Sequence, residues 1–137
     1  MNRKDVDEFK KLSVQLQSIY EELSVLSKKS PNDAVNKFKL NFINKLLNNS
    51  NEFLSQKYRP FEDFSEFDPD DTPQNSDVVL ILSQYLQCFE KLRADNVKRQ
   101  RQSGQWYWLV DVERDETGDE LGKVYYIRTT CPKRLRE

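Results

Sequence analysis

The chain has 137 residues and a formal net charge of −1, with 33% charged and 36% apolar residues. This length suits one domain over residues 1–137 with a modest core, and the charged share is high for a globular domain. Histidine is absent, which excludes every Ser/His, Cys/His and His-ligated metal mechanism. No spacing of acids or lysines nominates a catalytic pair either, so we expect a non-enzymatic protein without metal or cofactor.

The sequence carries no signal for a membrane or for disulfides. No apolar run reaches the roughly 20 residues that a membrane span needs, and charges occupy the place of a signal peptide's apolar stretch. Cys88 and Cys131 form no spacing typical of a zinc site or a disulfide framework. We therefore expect a cytoplasmic protein with reduced thiols and no membrane contact.

Apolar residues recur at alternating spacings of three and four in the first thirty residues, which predicts one long amphipathic helix from about 3 to 28. They are Phe9, Leu12, Leu16, Ile19, Leu23 and Leu26. This seam has the heptad form of a coiled coil. It favours packing against the next helix of the same chain, and the alternative is a homodimer paired through the seam.

A second helix is predicted after Ser30, Pro31 and Asp33, which supply an N-cap, a helix-starting proline and a first-turn acid. Its broad apolar stripe contains Val35, Phe38, Phe42, Ile43, Leu46, Leu47, Phe53 and Leu54. We expect an antiparallel helical hairpin over residues 3–58. Asn48, Asn49 and Asn51 are poor helix formers, which we interpret as a solvated face; the alternative is a break in the helix.

Residues 60–77 contain three prolines, seven acids and no base, which predicts an acidic loop. Three aromatic residues are spaced at three within it, namely Phe61, Phe64 and Phe67, followed by the acids Asp68, Asp70 and Asp71. One interpretation is a docking segment, in which acids steer a partner and phenylalanines anchor it. The alternative is a lid that folds back over the core. A metal site is disfavoured, because the spacing lacks the glycine and closing glutamate of a calcium loop.

A third helix is predicted over residues 77–101, capped by Asn75 or Ser76. Its apolar face contains Val78, Val79, Leu82, Tyr85, Leu86, Phe89 and Leu92. The cations that would lie near its C-terminus, where the helix dipole favours them, are Arg93, Lys98, Arg99 and Arg101. Ser103 and Gly104 then end the helix.

Two runs rich in aromatic and β-branched residues predict a β-hairpin over 105–129, followed by a basic tail at 130–137. In the first strand Trp106, Trp108, Val110 and Val112 share an apolar face, which must be covered. A lone hairpin is marginal in water, so it packs on the helices or extends another sheet. The sequence as a whole predicts an α+β fold, with a three-helix body and a C-terminal β-hairpin.

For function, we expect a protein-interaction module: a small adaptor, inhibitor or assembly subunit. It would dock on a larger protein through the acidic phenylalanine loop, through Trp106 and Trp108 of the hairpin, or through both. The alternative is a nucleic-acid-associated regulator that uses the basic and aromatic residues Lys98, Arg99, Arg101, Tyr107, Lys133, Arg134 and Arg136. The near-neutral net charge and the acids of the hairpin weigh against that alternative.

Overall fold

The computed structural model of the chain describes residues 1–111 and 127–132. In these residues three helices, α1 (Arg3–Lys29), α2 (Lys37–Tyr58) and α3 (Asn75–Asp95), are followed by three short strands. The strands are β1 (Val97–Arg99), β2 (Trp106–Trp108) and β3 (Ile127–Thr129), and they form an antiparallel sheet in the order β1-β2-β3. The predicted α+β fold, with a helical body and C-terminal strands, is confirmed.

The chain divides into two compact units. The helical unit is Lys10–Phe89, and the sheet unit combines Met1–Phe9 with Glu90–Glu137. Helices α1 and α3 each contribute residues to both units. The single domain expected over residues 1–137 stays a prediction.

The seam of α1 is buried within one chain. Leu12, Leu16 and Leu23 are at most 2% exposed, while Ile19 and Leu26 are half-buried. Burial of these side chains at helical spacing is what an intramolecular partner produces. Lys39 in the first turn of α2 pairs with Glu22 near the end of α1 at 2.9 Å, as an antiparallel helical hairpin requires.

Helix α2 starts later than expected. Its N-cap is Asn36, whose side-chain oxygen accepts a hydrogen bond from the Lys39 N–H at 2.8 Å. The preceding segment is instead tied to the entry of α3: Val35 N–H donates to the Pro73 carbonyl at 2.9 Å, and Asn75 N–H to that of Asp33 at 2.9 Å. These bonds hold residues 33–35 in an extended path, so the helix cannot begin at Pro31.

The predicted end of the third helix is wrong. Helix α3 ends at Asp95 instead of residue 101, because the chain turns at Asn96 and enters β1. The Asn96 side chain donates to the Leu92 carbonyl at 2.8 Å, and its own carbonyl accepts from Leu109 N–H at 2.8 Å. Val97 is buried opposite Trp108. Pairing with β2 therefore outweighs the helix-compatible composition of the residues after 96.

Arg93 lies in the last turn of α3, as the sequence predicted, and it is also a structural side chain of the sheet unit. It is only 8% exposed. Its Nη1 donates to the Thr130 carbonyl at 2.7 Å and to Thr129 Oγ1 at 3.1 Å, and its Nη2 contacts Glu90. A guanidinium with several fixed acceptors suits this position, because its donors lie in a rigid plane. Arg93 thereby links α3 to the end of β3.

The strands pair as antiparallel neighbours. Trp108 lies opposite Val97 on one side and Ile127 on the other, which confirms the predicted pairing of the two aromatic-rich runs for the described residues. The turn between β1 and β2 closes with Gln100 N–H donating to the Gln105 carbonyl at 2.8 Å. Gly104 has a φ of 70° in this turn, a conformation that favours glycine. The hairpin's residues 112–126 lie outside the described residues.

Candidate interaction surfaces

The acidic loop is attached to α2 by side-chain amides. Asn44 Nδ2 donates to the Phe67 carbonyl at 2.8 Å, and its Oδ1 accepts from the Phe67 N–H at 2.9 Å. One amide thus satisfies both backbone groups of a loop residue, as a neighbouring β-strand would. Asn48 Nδ2 donates to Glu66 Oε2 at 2.8 Å, one turn further along the helix.

Asn51 completes this attachment and joins it to α3. Its Nδ2 donates to the Ser65 carbonyl at 3.2 Å, while its Oδ1 accepts from the Tyr85 hydroxyl at 2.7 Å. Asn51 is 6% exposed and Asn44 is 8% exposed. Burial raises the pKa of the Tyr85 phenol above its usual value of 10.0, although the hydrogen bond to Asn51 acts in the opposite direction. We call Asn44, Asn48 and Asn51 the asparagine clamp.

The interpretation of Asn48, Asn49 and Asn51 as a solvated face is wrong for Asn51, which is buried. Asn48 and Asn49 are exposed, and Asn48 is bonded to the loop. The alternative, a break in the helix, is wrong in position, since the helical backbone is interrupted four residues after Asn51, at Ser55. Ser55 has a φ of 59° and a ψ of −176°, a conformation that serine rarely adopts.

The phenylalanines of the acidic loop contact one another. The ring centroids of Phe61 and Phe64 are 6.0 Å apart, and those of Phe64 and Phe67 are 5.1 Å apart, both in edge-to-face geometry. All three side chains are half-buried. The structure therefore brings these predicted site residues together as a ring cluster beside the asparagine clamp. They are neither free anchors nor fully enclosed core.

The acids of the loop stay at the surface. Asp68 Oδ1 accepts from the Asp70 N–H at 2.9 Å and thereby caps a 3-10 helix, Pro69–Asp71. Asp68, Asp70 and Asp71 are exposed. Across residues 1–111 and 127–132, no group of three or more acidic or cysteine side chains is arranged to hold a metal ion. The described acids thus form a charged surface.

Two phenylalanines of α2 are exposed, although the sequence placed them in its apolar stripe. Phe38 is 85% exposed and Phe42 is 46% exposed, one helical turn further on. The inner stripe is formed instead by Leu40, Ile43 and Leu47, which are at most 1% exposed. Residues three and four apart share a helix face, so the two phenylalanines form one aromatic pair.

The aromatic pair shares its helix face with a groove. The groove encloses about 410 Å³ between Asn41, Lys45 and Asn49 of α2 on one side and Glu66 and Pro69 of the acidic loop on the other. Positions 38, 41, 42, 45 and 49 recur at helical spacing, so the groove and the aromatic pair occupy the same strip of α2. We call this strip together with residues 66–71 the α2–loop face.

The tryptophans of the hairpin differ in exposure. Trp108 is 1% exposed and packs edge to face on Phe9, with ring centroids 4.9 Å apart. Trp106 is half-buried. Val110 is buried and Leu109 and Asp111 are exposed, so burial alternates as predicted from Trp108 to Asp111, whereas Trp106 and Tyr107 are both half-buried. Trp108 is therefore a core side chain of the sheet unit, whereas sequence reasoning had assigned it to a partner.

The basic residues of the alternative site are partly brought together. Lys98, Arg99, Arg101 and Tyr107 line one cavity of about 550 Å³ at the end of β1. Strand β1, which replaces the end of the predicted helix, brings these residues together because it places Lys98 directly opposite Tyr107. Lys133, Arg134 and Arg136 lie outside the described residues.

The asparagine clamp and the aromatic pair are the features that sequence reasoning missed. Asn44 and Asn51 are seven residues apart, so they occupy the same helix face, interleaved with buried Ile43, Leu47 and Leu54. Two polar residues at helical spacing within an apolar stripe could have indicated buried side chains that need hydrogen-bond partners. Nothing comparable marks Phe38 and Phe42, whose spacing fits a core equally well.

Among the described helices, none combines the length and the apolar character needed to cross a bilayer. No protein-family model matches the sequence, and neither a curated protein nor a solved structure shows significant similarity to it, so the chain's own residues are the guide to its function.

Proposed function

We propose that this protein is a non-enzymatic interaction module, acting as a small adaptor, inhibitor or assembly subunit, that docks on a larger protein through the α2–loop face. The observation that carries this proposal is the aromatic pair, Phe38 at 85% and Phe42 at 46% exposure. Burying a phenylalanine side chain contributes about 1.5–3 kcal/mol, so leaving two of them in water at one place favours a surface that a partner covers.

The groove beside the aromatic pair supports a protein ligand. Asn41 and Asn49 are exposed along its α2 side. Amide side chains both donate and accept hydrogen bonds, so they match the N–H and C=O groups of a partner's backbone. A protein interface commonly surrounds a small apolar centre with such polar groups. The aromatic pair would supply the apolar centre and the asparagines the polar rim.

The acidic loop gives the face a charge. Asp70 and Asp71 are exposed, and the loop that bears them is fixed by the asparagine clamp. Fixed carboxylates attract a basic partner at long range and accelerate the encounter, while a rigid segment loses little conformational freedom on binding. In this proposal the acidic loop contributes charge to docking. Its own phenylalanines are half-buried, so Phe38 and Phe42 are the anchors.

The experiment compares three tagged proteins as baits in a lysate of the native host, with captured proteins quantified by mass spectrometry. The Phe38→Ala/Phe42→Ala variant removes the aromatic pair, and Val14→Ala removes a 66% exposed apolar side chain of α1 as a matched control. We expect one stoichiometric protein to be retained by wild type and Val14→Ala and to fall at least about tenfold with the double variant. Equal recovery with all three baits contradicts the proposal.

A second arm separates anchoring from steering. For the captured protein, Asp70→Asn/Asp71→Asn should slow association and weaken its dependence on salt, with little change in the dissociation rate. Asp68 is left in place because it caps the 3-10 helix. If the captured protein is a second copy of this chain, the larger-partner proposal is overturned and the face is a dimer interface.

A further inference from the structure

The outer face of the sheet carries a row of alternating charge and aromatic character. Tyr107 of β2 lies directly opposite Lys98 of β1 on one side and opposite Arg128 of β3 on the other. Directly paired residues in antiparallel strands project to the same side of a sheet. Lys98, Tyr107 and Arg128 therefore form a cation–aromatic–cation row, which spans about 10 Å across three strands.

The opposite face of the sheet carries the buried side chains. Val97 and Trp108 are buried, and Ile127, paired with Trp108, is half-buried. Lys98 and Arg128 are exposed, and Tyr107 between them is half-buried. The row thus lies on the solvent side of the sheet, whose apolar side is covered.

The cations of this face are not neutralised within the described part of the chain. There, neither Lys98 nor Arg128 forms an ion pair, and the same holds for Arg99 and Arg101. Two acids of the sheet unit are engaged elsewhere, Asp111 by the Met1 amine at 3.4 Å and Glu90 by Arg93. Arg101 and Lys98 also line the cavity of about 550 Å³ beside Tyr107, so positive charge borders this cavity.

We propose that this sheet face binds single-stranded nucleic acid, with a base stacked against Tyr107 and the flanking phosphates held by Lys98, Arg101 and Arg128. Cations alone would suit any polyanion. An aromatic ring between two cations suits a ligand that alternates planar bases with phosphates. In a duplex the base faces are stacked on one another, so an unpaired strand is the form that can use the ring.

The binding experiment uses a fluorescently labelled oligonucleotide of about twelve nucleotides, within the range of site sizes for such surfaces. Anisotropy is measured with the full chain at several salt concentrations, for RNA and DNA of one sequence. We expect saturable binding with a slope of log affinity against log salt of about −2, since each of three phosphate contacts adds about −0.7. The ratio of the affinities for RNA and DNA identifies which kind of strand the sheet face prefers.

Two variants of the ring test stacking. Tyr107→Val keeps a strand-forming residue but removes the ring, and should weaken binding about tenfold; Tyr107→Phe keeps the ring and should bind like wild type. Circular dichroism and the Tm confirm that each variant is folded. If Tyr107→Val binds like wild type while folded, stacking does not occur and the proposal is overturned.

Charge variants and competitors complete the test. Lys98→Gln and Arg128→Gln should each reduce the magnitude of the salt slope by about 0.7, whereas Lys28→Gln, an exposed cation near the end of α1, should leave it unchanged. Unlabelled duplex and polyglutamate should compete weakly. Competition by polyglutamate as effective as that by the single strand identifies an acidic protein as the ligand and overturns the proposal. None of these variants alters the α2–loop face, so failure here leaves the protein-docking proposal to its own test.

Discussion

Two sets of phenylalanines in the helical unit have opposite surroundings. Phe61, Phe64 and Phe67 lie on an irregular loop, yet they cover one another. Phe38 and Phe42 lie on a regular helix and are exposed. Polar groups account for this difference. A loop can approach α2 only where its backbone N–H and C=O groups are satisfied, and the asparagine clamp satisfies backbone groups of Ser65 and Phe67. The aromatic pair has no such clamp on its own strip.

Removing the centre of the clamp should have the largest effect. The Asn51→Leu substitution keeps the branched shape of the side chain but leaves the Tyr85 hydroxyl and the Ser65 carbonyl without their partner. The unsatisfied buried hydroxyl of Tyr85 costs about 1–3 kcal/mol and the lost hydrogen bond to Ser65 about 1 kcal/mol, so we expect the free energy of unfolding to fall by about 3 kcal/mol. Urea denaturation measures it. Asn49→Leu, at an exposed position of the same helix, is the control and should change stability by less than about 0.5 kcal/mol.

Truncation of one ring from each set sharpens the comparison. Phe64→Ala removes the central ring of the cluster and should lower the free energy of unfolding by about 2 kcal/mol, below the 3–5 kcal/mol of a fully buried phenylalanine. Phe38→Ala should change it by less than about 0.5 kcal/mol, since the ring is in water. Chemical denaturation of both variants gives the two values. Equal losses would show that the two sets are equally packed.

Among the buried groups, the smallest expected loss of stability concerns Tyr85. Tyr85→Phe removes one hydrogen bond to Asn51 and should lower the free energy of unfolding by about 1 kcal/mol at neutral pH. The folded-state pKa of Tyr85 is raised, so its protonated form contributes stability that is fully present below pH 10.0, and this contribution is lost as the pH rises through the folded pKa. Denaturation between neutral and alkaline pH should therefore show a steeper decline for wild type than for the variant. Parallel declines contradict this.

The sequence predicted those helices and strands for which the spacing of apolar residues is a sufficient signal. The seam of α1 is buried at Leu12, Leu16 and Leu23, and the aromatic run that predicted a strand contains β2, Trp106–Trp108. Prediction from the sequence failed where a residue distant in the chain determines the local structure. Val97 joins a strand because Trp108 lies opposite, and Asn44 is buried because Phe67, 23 residues away, matches its amide. The propensities of the local sequence do not reveal these distant partners.

For the candidate sites, the sequence singled out residue types, whereas the arrangement of these residues depends on the fold. Lys98 and Tyr107 were grouped by composition, whereas their direct opposition, and the inclusion of Arg128, depend on strand register. Phe38 and Phe42 have a spacing that suits a core, and which apolar stripe of α2 meets its neighbours is decided by tertiary packing.

The asparagine clamp is built from neutral amides, which neither titrate nor respond to ionic strength as ion pairs do. The carboxylates that it holds in place behave differently, because their field extends only about 10 Å at 0.1 M salt and shrinks as salt is added. Shape and charge of the acidic loop are thus controlled independently. A change in ionic strength would therefore alter how far the electric field of the loop extends, while the shape of its surface stays the same.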